Sequence, residues 1–85
     1  MANWNEMLRE VFSERGDDFA QMVCTVGDEQ LNVEFDNGYG GINGCDFTAW
    51  GDNYVYFPIC YDGAEWVGSA PRNPCDESLT HQGGG

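Results

Sequence analysis

Near the start of the chain the hydrophobic positions recur with a helical period. Trp4, Met7, Leu8, Val11 and Phe12 stand at i, i+3, i+4, i+7 and i+8, the stripe of an amphipathic helix that buries one side. Asn3, three residues before Glu6, offers a capping side chain, and Gly16 after Arg15 tolerates the left-handed conformation that closes helices. The pattern predicts a first helix over about residues 4–15.

Beyond Gly16 the pattern divides. Phe19, Met22, Val23 and Val26 again lie three, four and seven apart, with Asp17 or Asp18 as a cap and Gly27 as a stop, which favours a second helix. The β-branched content of Val23-Cys-Thr-Val26 instead suits a strand over 22–26. Over 28–36, Asp28 could cap a short helix carrying Leu31 and Phe35, but Leu31, Val33 and Phe35 also alternate as a half-buried strand would. The run from Asn37 to Asp46 has too many glycines for regular structure and is expected to be a surface loop.

From Phe47 onward short aromatic and β-branched runs are split by turn residues, the signature of an antiparallel meander with strands near 47–50, 54–61 and 64–69. Asp62-Gly63 is a two-residue hairpin signal whose register sets Tyr61 opposite Ala64, Ile59 opposite Trp66 and Phe57 opposite Gly68. Phe57, Ile59 and Trp66 then share one face. Tyr54, Tyr56, Cys60, Glu65 and Val67 share the other, which is expected to be the aromatic side that a small helical layer leaves partly open. Pro58 cannot donate to a ladder, so its strand should be bulged or unpaired on one side there.

Together these elements predict an α+β fold: N-terminal helices packed on a C-terminal three-stranded antiparallel β-meander, rising to four or five strands if residues 22–36 are extended. Residues 1–75 are expected to form one compact domain and 76–85 a flexible tail. A chain of 85 residues buries only about 60% of the surface its unfolded form exposes, so the core is small. At 41% hydrophobic and 14% aromatic residues, it still has the apolar material that disordered chains lack.

Charge changes the picture most. Fifteen Asp and Glu face three Arg and no Lys, a formal net charge of −12. Such a field repels nucleic acid and anionic membranes and draws in cationic surfaces, among them the basic grooves of proteins that handle DNA or RNA. Residues 1–36 are the more acidic part, with nine acids against two Arg. Glu6, Glu10 and Glu14, four apart, would form one carboxylate stripe on the first helix at about 6 Å of rise per step. Like charges at that spacing cost the helix roughly 0.2–0.5 kcal/mol per pair with no structural return. Asp17, Asp18, Asp28 and Glu29 extend the negative surface. Tyr54 and Tyr56, flanked by Asp52, Asp62 and Glu65, combine aromatic anchors with charge as a binder of Arg- and Lys-rich surfaces does. Tyr39, Trp50 and Tyr61 are further exposed aromatic candidates. The plain alternative is that the acids serve solubility and the aromatics pack the core.

Catalytic and cofactor chemistry is not expected. The glycine-rich loop lacks the Gly-Lys-Ser/Thr ending of a phosphate-binding loop. A thiol nucleophile would need a basic partner, and the only histidine, His81, lies in the expected flexible tail. Cys24, Cys45, Cys60 and Cys75 contain no Cys-x-x-Cys pair, so no metal site is read from them. No basic segment followed by an apolar run opens the chain, and no long apolar stretch interrupts it, so the thiols are expected to be reduced and the location cytoplasmic, with a disulfide-stapled extracellular domain as the other possibility.

In size, charge and aromatic content over its whole length the chain resembles phage-encoded inhibitors, such as anti-CRISPR proteins and DNA mimics, which occupy the basic grooves of nucleic-acid enzymes. No motif carries the resemblance, so it transfers no residue. It implies an inhibitory or regulatory binder acting in the host cytoplasm on a basic protein surface, without direct contact to nucleic acid or membrane. The alternative is a structural or assembly module that forms a homodimer through an aromatic sheet face.

Overall fold

Trp4–Arg15 forms helix α1, because Trp4, Leu8 and Phe12 turn to one side and are buried while both ends are capped. Asn3 accepts a 2.8 Å hydrogen bond from the Glu6 amide. At the other end Gly16 adopts φ 75°. Its amide donates to Ser13 and the Asp17 amide to Phe12, the paired bonds of a Schellman cap. The computed structural model describes residues 2–38, 42–79 and 81. Tyr39 and the last residues expected to be flexible, 80 and 82–85, lie outside the described residues.

Between Gly16 and Gly27 the chain does not make a second full helix. Asp18 caps a single 3-10 turn, Phe19–Gln21, and the chain then extends into strand β1, Val23–Cys24. Local capping thus governs only three residues; the β-branched run follows its strand preference because another strand is at hand to pair with it. Over 28–36 the short helix forms, α2 over Asp28–Leu31, but Gly27 rather than Asp28 stands at its N-cap and Phe35 lies beyond its end. No strand forms there, only a single antiparallel bridge from Phe35 to Ala2, with Val33 exposed.

Strands β2 (Ala49–Trp50), β3 (Tyr54–Tyr61) and β4 (Ala64–Pro71) complete an antiparallel sheet in the order β1-β2-β3-β4. The fold is α+β, with four strands where the meander alone accounts for three. Asp62 and Gly63 take φ 50° and 84°, so the turn has the positive angles of type I′, and the expected register holds: Tyr61 opposite Ala64, Ile59 opposite Trp66, Phe57 opposite Gly68. The last ladder pair of β2 is Ala49 with Tyr56, so β3 runs past the end of β2 and Pro58 meets no ladder partner on that side.

The two faces of the sheet divide as the register requires, but the helical layer covers the other one. Tyr56, Val67, Ala49 and Ser69 point under α1 and are buried. The Phe12 ring stacks on Tyr56 at 4.1 Å, and Trp4 packs against Phe35 and Phe47 at 4.9 and 5.1 Å. The face of Trp66 and Tyr61 looks outward, with these two 38% and 50% exposed. The outward aromatic side is therefore that of Phe57 and Trp66, not that of Tyr54 and Tyr56. An amphipathic helix bearing large aromatics selects the sheet face whose Val and Tyr can stack with them, at roughly 1.5–3 kcal/mol per large side chain buried.

Candidate partner-binding surface

The Schellman cap sets the direction of Asp17. The residue after the closing glycine normally packs back against the last turn, and here that residue is an aspartate that is 8% exposed. Its Oδ1 accepts from the Asn53 amide and Asn53 Nδ2 at 3.2 and 3.0 Å, and its Oδ2 from the Tyr54 amide and the Tyr56 hydroxyl at 3.2 and 2.6 Å. Asp17 thereby fastens the end of α1 to the turn between β2 and β3. Gly51 permits the approach, since a Cβ there would collide with the carboxylate. Burial, and then the bond to Asp17, hold the Tyr56 phenol above the usual tyrosine range.

Glu65 has the same kind of role at the opposite end of the sheet. It is 4% exposed on β4; its two oxygens accept from the successive amides of Asn43 and Gly44 at 2.9 and 3.0 Å, and its own amide donates to the Asn37 carbonyl at 2.7 Å. Asn37, Asn43 and Gly44 of the glycine-rich stretch are thus tied to the sheet. Gly44 lies where a Cβ would come within 2.6 Å of the Trp4 indole, whose Nε1 donates to the Cys45 carbonyl.

Three residues expected on the binding surface, Asp17, Glu65 and Tyr56, are therefore interior parts of the fold. Tyr54 is half-buried and engaged: the Arg15 guanidinium lies 4.7 Å over its ring and its hydroxyl donates to Glu77, which raises its pKa through that bond first. The remaining expected acids are exposed: Glu6, Glu10, Glu14, Asp18, Asp28, Glu29, Asp52 and Asp62. Glu6 and Glu10 stand on the side of α1 opposite the buried Leu8, and Glu14 faces a groove of about 530 Å³ between α1, β4 and residues 77–79. Asp28 and Glu29 lie on α2, which meets α1 through Asn5 and Asn32 at 2.8 Å.

All three cations are turned to neutral partners. Arg9 lies 4.7 Å over the Phe19 ring. Arg15 covers Tyr54 and donates from Nε to the Ser69 hydroxyl at 2.9 Å. Arg72 donates from Nη1 to the Gly51 carbonyl at 2.9 Å. The carboxylates of Glu6, Glu10 and Glu14 are exposed and, among the described residues, make no ion pair with an arginine, although Glu14 lines its groove beside Arg15.

The four cysteines are free thiols, with Cys45 raised above the usual thiol range mainly by burial. Among the described residues no three His, Cys, Asp or Glu side chains group as a metal site requires, and no helix is long and apolar enough to cross a membrane. Comparison with known proteins returns no matching family model, no matching curated relative and no matching solved structure, so the reading of this surface rests on its own residues.

Proposed function

We propose that the protein is a small inhibitory or regulatory binder whose exposed carboxylates occupy a basic groove on a protein that handles DNA or RNA, in the manner of a DNA mimic. The observation that supports this reading most is the uncompensated stripe Glu6, Glu10 and Glu14 on α1, in a chain whose only cations are held against rings, a hydroxyl and a carbonyl. A rise of about 6 Å over the four residues between successive glutamates places these charges close to the spacing of successive phosphates on a nucleic-acid strand. Asp18, Asp28 and Glu29 enlarge the negative field on the helical side of the molecule. Such a field raises the encounter rate with a cationic groove and is weakened by salt.

The test is release of a labelled duplex from a panel of basic nucleic-acid-binding proteins. Release from the target is expected to weaken at least about tenfold between low and high salt, as charge-driven association does. It is also expected to be lost in the triple variant Glu6→Gln, Glu10→Gln, Glu14→Gln. A duplex that stays bound throughout the panel, or release indifferent to both salt and the triple variant, would sink the reading.

A further inference from the structure

The sheet face turned away from α1 carries no charge at any position. Its register places Val23, Trp50, Val55 and Ala70 in one row across all four strands. The remaining rows, on β3 and β4, pair Phe57 with Gly68, Ile59 with Trp66 and Tyr61 with Ala64. In a chain with fifteen acidic residues, none occupies a strand position on this face; the nearest is Asp46, which borders Ile59 in a cavity at one end of it. Val23, Tyr61 and Trp66 are 63%, 50% and 38% exposed. The face is also level: a Cβ on Gly68 would meet Phe57 at 2.7 Å and collide with Ile59, so these two side chains lean across the glycine and fill the hollow it leaves.

We propose that this face is the interface between two copies of the chain, packed sheet on sheet. Three arguments favour a second copy over the cationic partner that the rest of the surface attracts. A cationic partner would have to desolvate Arg or Lys against a surface without a carboxylate, a loss with nothing to offset it, whereas an apolar face is complementary to itself about a two-fold axis. Packing at the roughly 10 Å spacing of stacked sheets sends the two α1 helices to opposite outer surfaces, which separates the acidic stripes of the protomers as far as the fold allows. Finally, strands of eight residues give a face about 26 Å long and, with its neighbours, ~15 Å across. That is a footprint of roughly 390 Å² per partner, the small end of the range, which suits a weak, concentration-dependent dimer rather than an obligate one. The dimer stands independently of the groove-binding function and would present one carboxylate stripe on each side.

Sedimentation of the purified chain over about 1–100 μM at low and high salt tests this. A monomer–dimer equilibrium is expected whose association strengthens several-fold with salt, because screening removes the residual repulsion between two acidic protomers while apolar contacts persist. This is opposite in sign to the salt dependence of duplex release. Trp66→Glu is expected to weaken association at least about tenfold, as loss of an interface anchor does. Val23→Glu, at an already exposed position of the short β1, provides the same test should the tryptophan variant lose its fold by circular dichroism. Glu10→Gln is expected to leave the dimer in place. A monomer at every concentration and salt, a dimer indifferent to both face variants, or a dimer that weakens with salt would each overturn the proposal.

Discussion

The Tyr56 hydroxyl donates a 2.6 Å hydrogen bond to Oδ2 of Asp17 across 39 positions of sequence, and the pair joins the end of the helical layer to the middle of the sheet. Asp17 is reached by three further donors from Asn53 and Tyr54. Removing the carboxylate therefore orphans several groups at once.

Asp17→Ala is expected to destabilise the fold by about 3–5 kcal/mol, at roughly 1–3 kcal/mol per buried donor left unsatisfied. Tyr56→Phe keeps the ring stacked on Phe12 and removes one bond to a charged acceptor, so its cost should be only about 1.5–3 kcal/mol. Denaturant unfolding of the two variants checks the order, and equal costs would show that the carboxylate holds nothing beyond the tyrosine.

Alkaline pH should reveal the same pair. Above pH ~10, the ordinary tyrosine value, the unfolded chain gives up the Tyr56 proton while the native state, where burial and Asp17 raise the pKa, retains it. The native state then binds more protons, and stability falls as pH rises. This contribution is whole below pH ~10 and is lost as pH climbs toward the higher folded-state value. Thermal melts across this range should decline more steeply for the native chain than for Tyr56→Phe, and parallel profiles would contradict the assignment.

Gly44 and Gly38 should respond differently to the same change. A Cβ at Gly44 would stand 2.6 Å from the Trp4 ring and 2.8 Å from Phe35, whereas one at Gly38 meets nothing within 4 Å. Gly44→Ala is expected to cost about 1–3 kcal/mol through overpacking, and Gly38→Ala less than about 0.5 kcal/mol. Tryptophan fluorescence during unfolding measures both.

Neutralising the stripe should raise stability while it removes binding. Glu6, Glu10 and Glu14 repel one another at helical spacing, and the triple glutamine variant relieves two such pairs at roughly 0.2–0.5 kcal/mol each. A slightly higher melting temperature at low salt, with the gain shrinking as salt rises, is the expected outcome. A lower melting temperature would mean that these carboxylates support the fold.

Helix α1, its two caps and the β3–β4 register were legible in the sequence because each is settled by neighbours: Asn3 reaches Glu6, Gly16 closes the last turn, and Asp62-Gly63 dictates which residues face one another. The exposed stripe Glu6, Glu10 and Glu14 follows from α1 in the same way. Long-range pairing decided the rest. Val23–Cys24 became a strand only because Ala49–Trp50 lies beside it, and two partners distant in sequence outweighed a capped helical pattern. Which sheet face α1 would cover was equally beyond local pattern, since both faces carry aromatics and the choice depends on Phe12 meeting Tyr56. Asp17 and Glu65 looked like surface acids because an aspartate or glutamate read alone belongs in water. Only the tertiary structure brings them backbone amides and a phenol in sufficient number to replace that water, and this turns two expected contact residues into the fastenings of the fold.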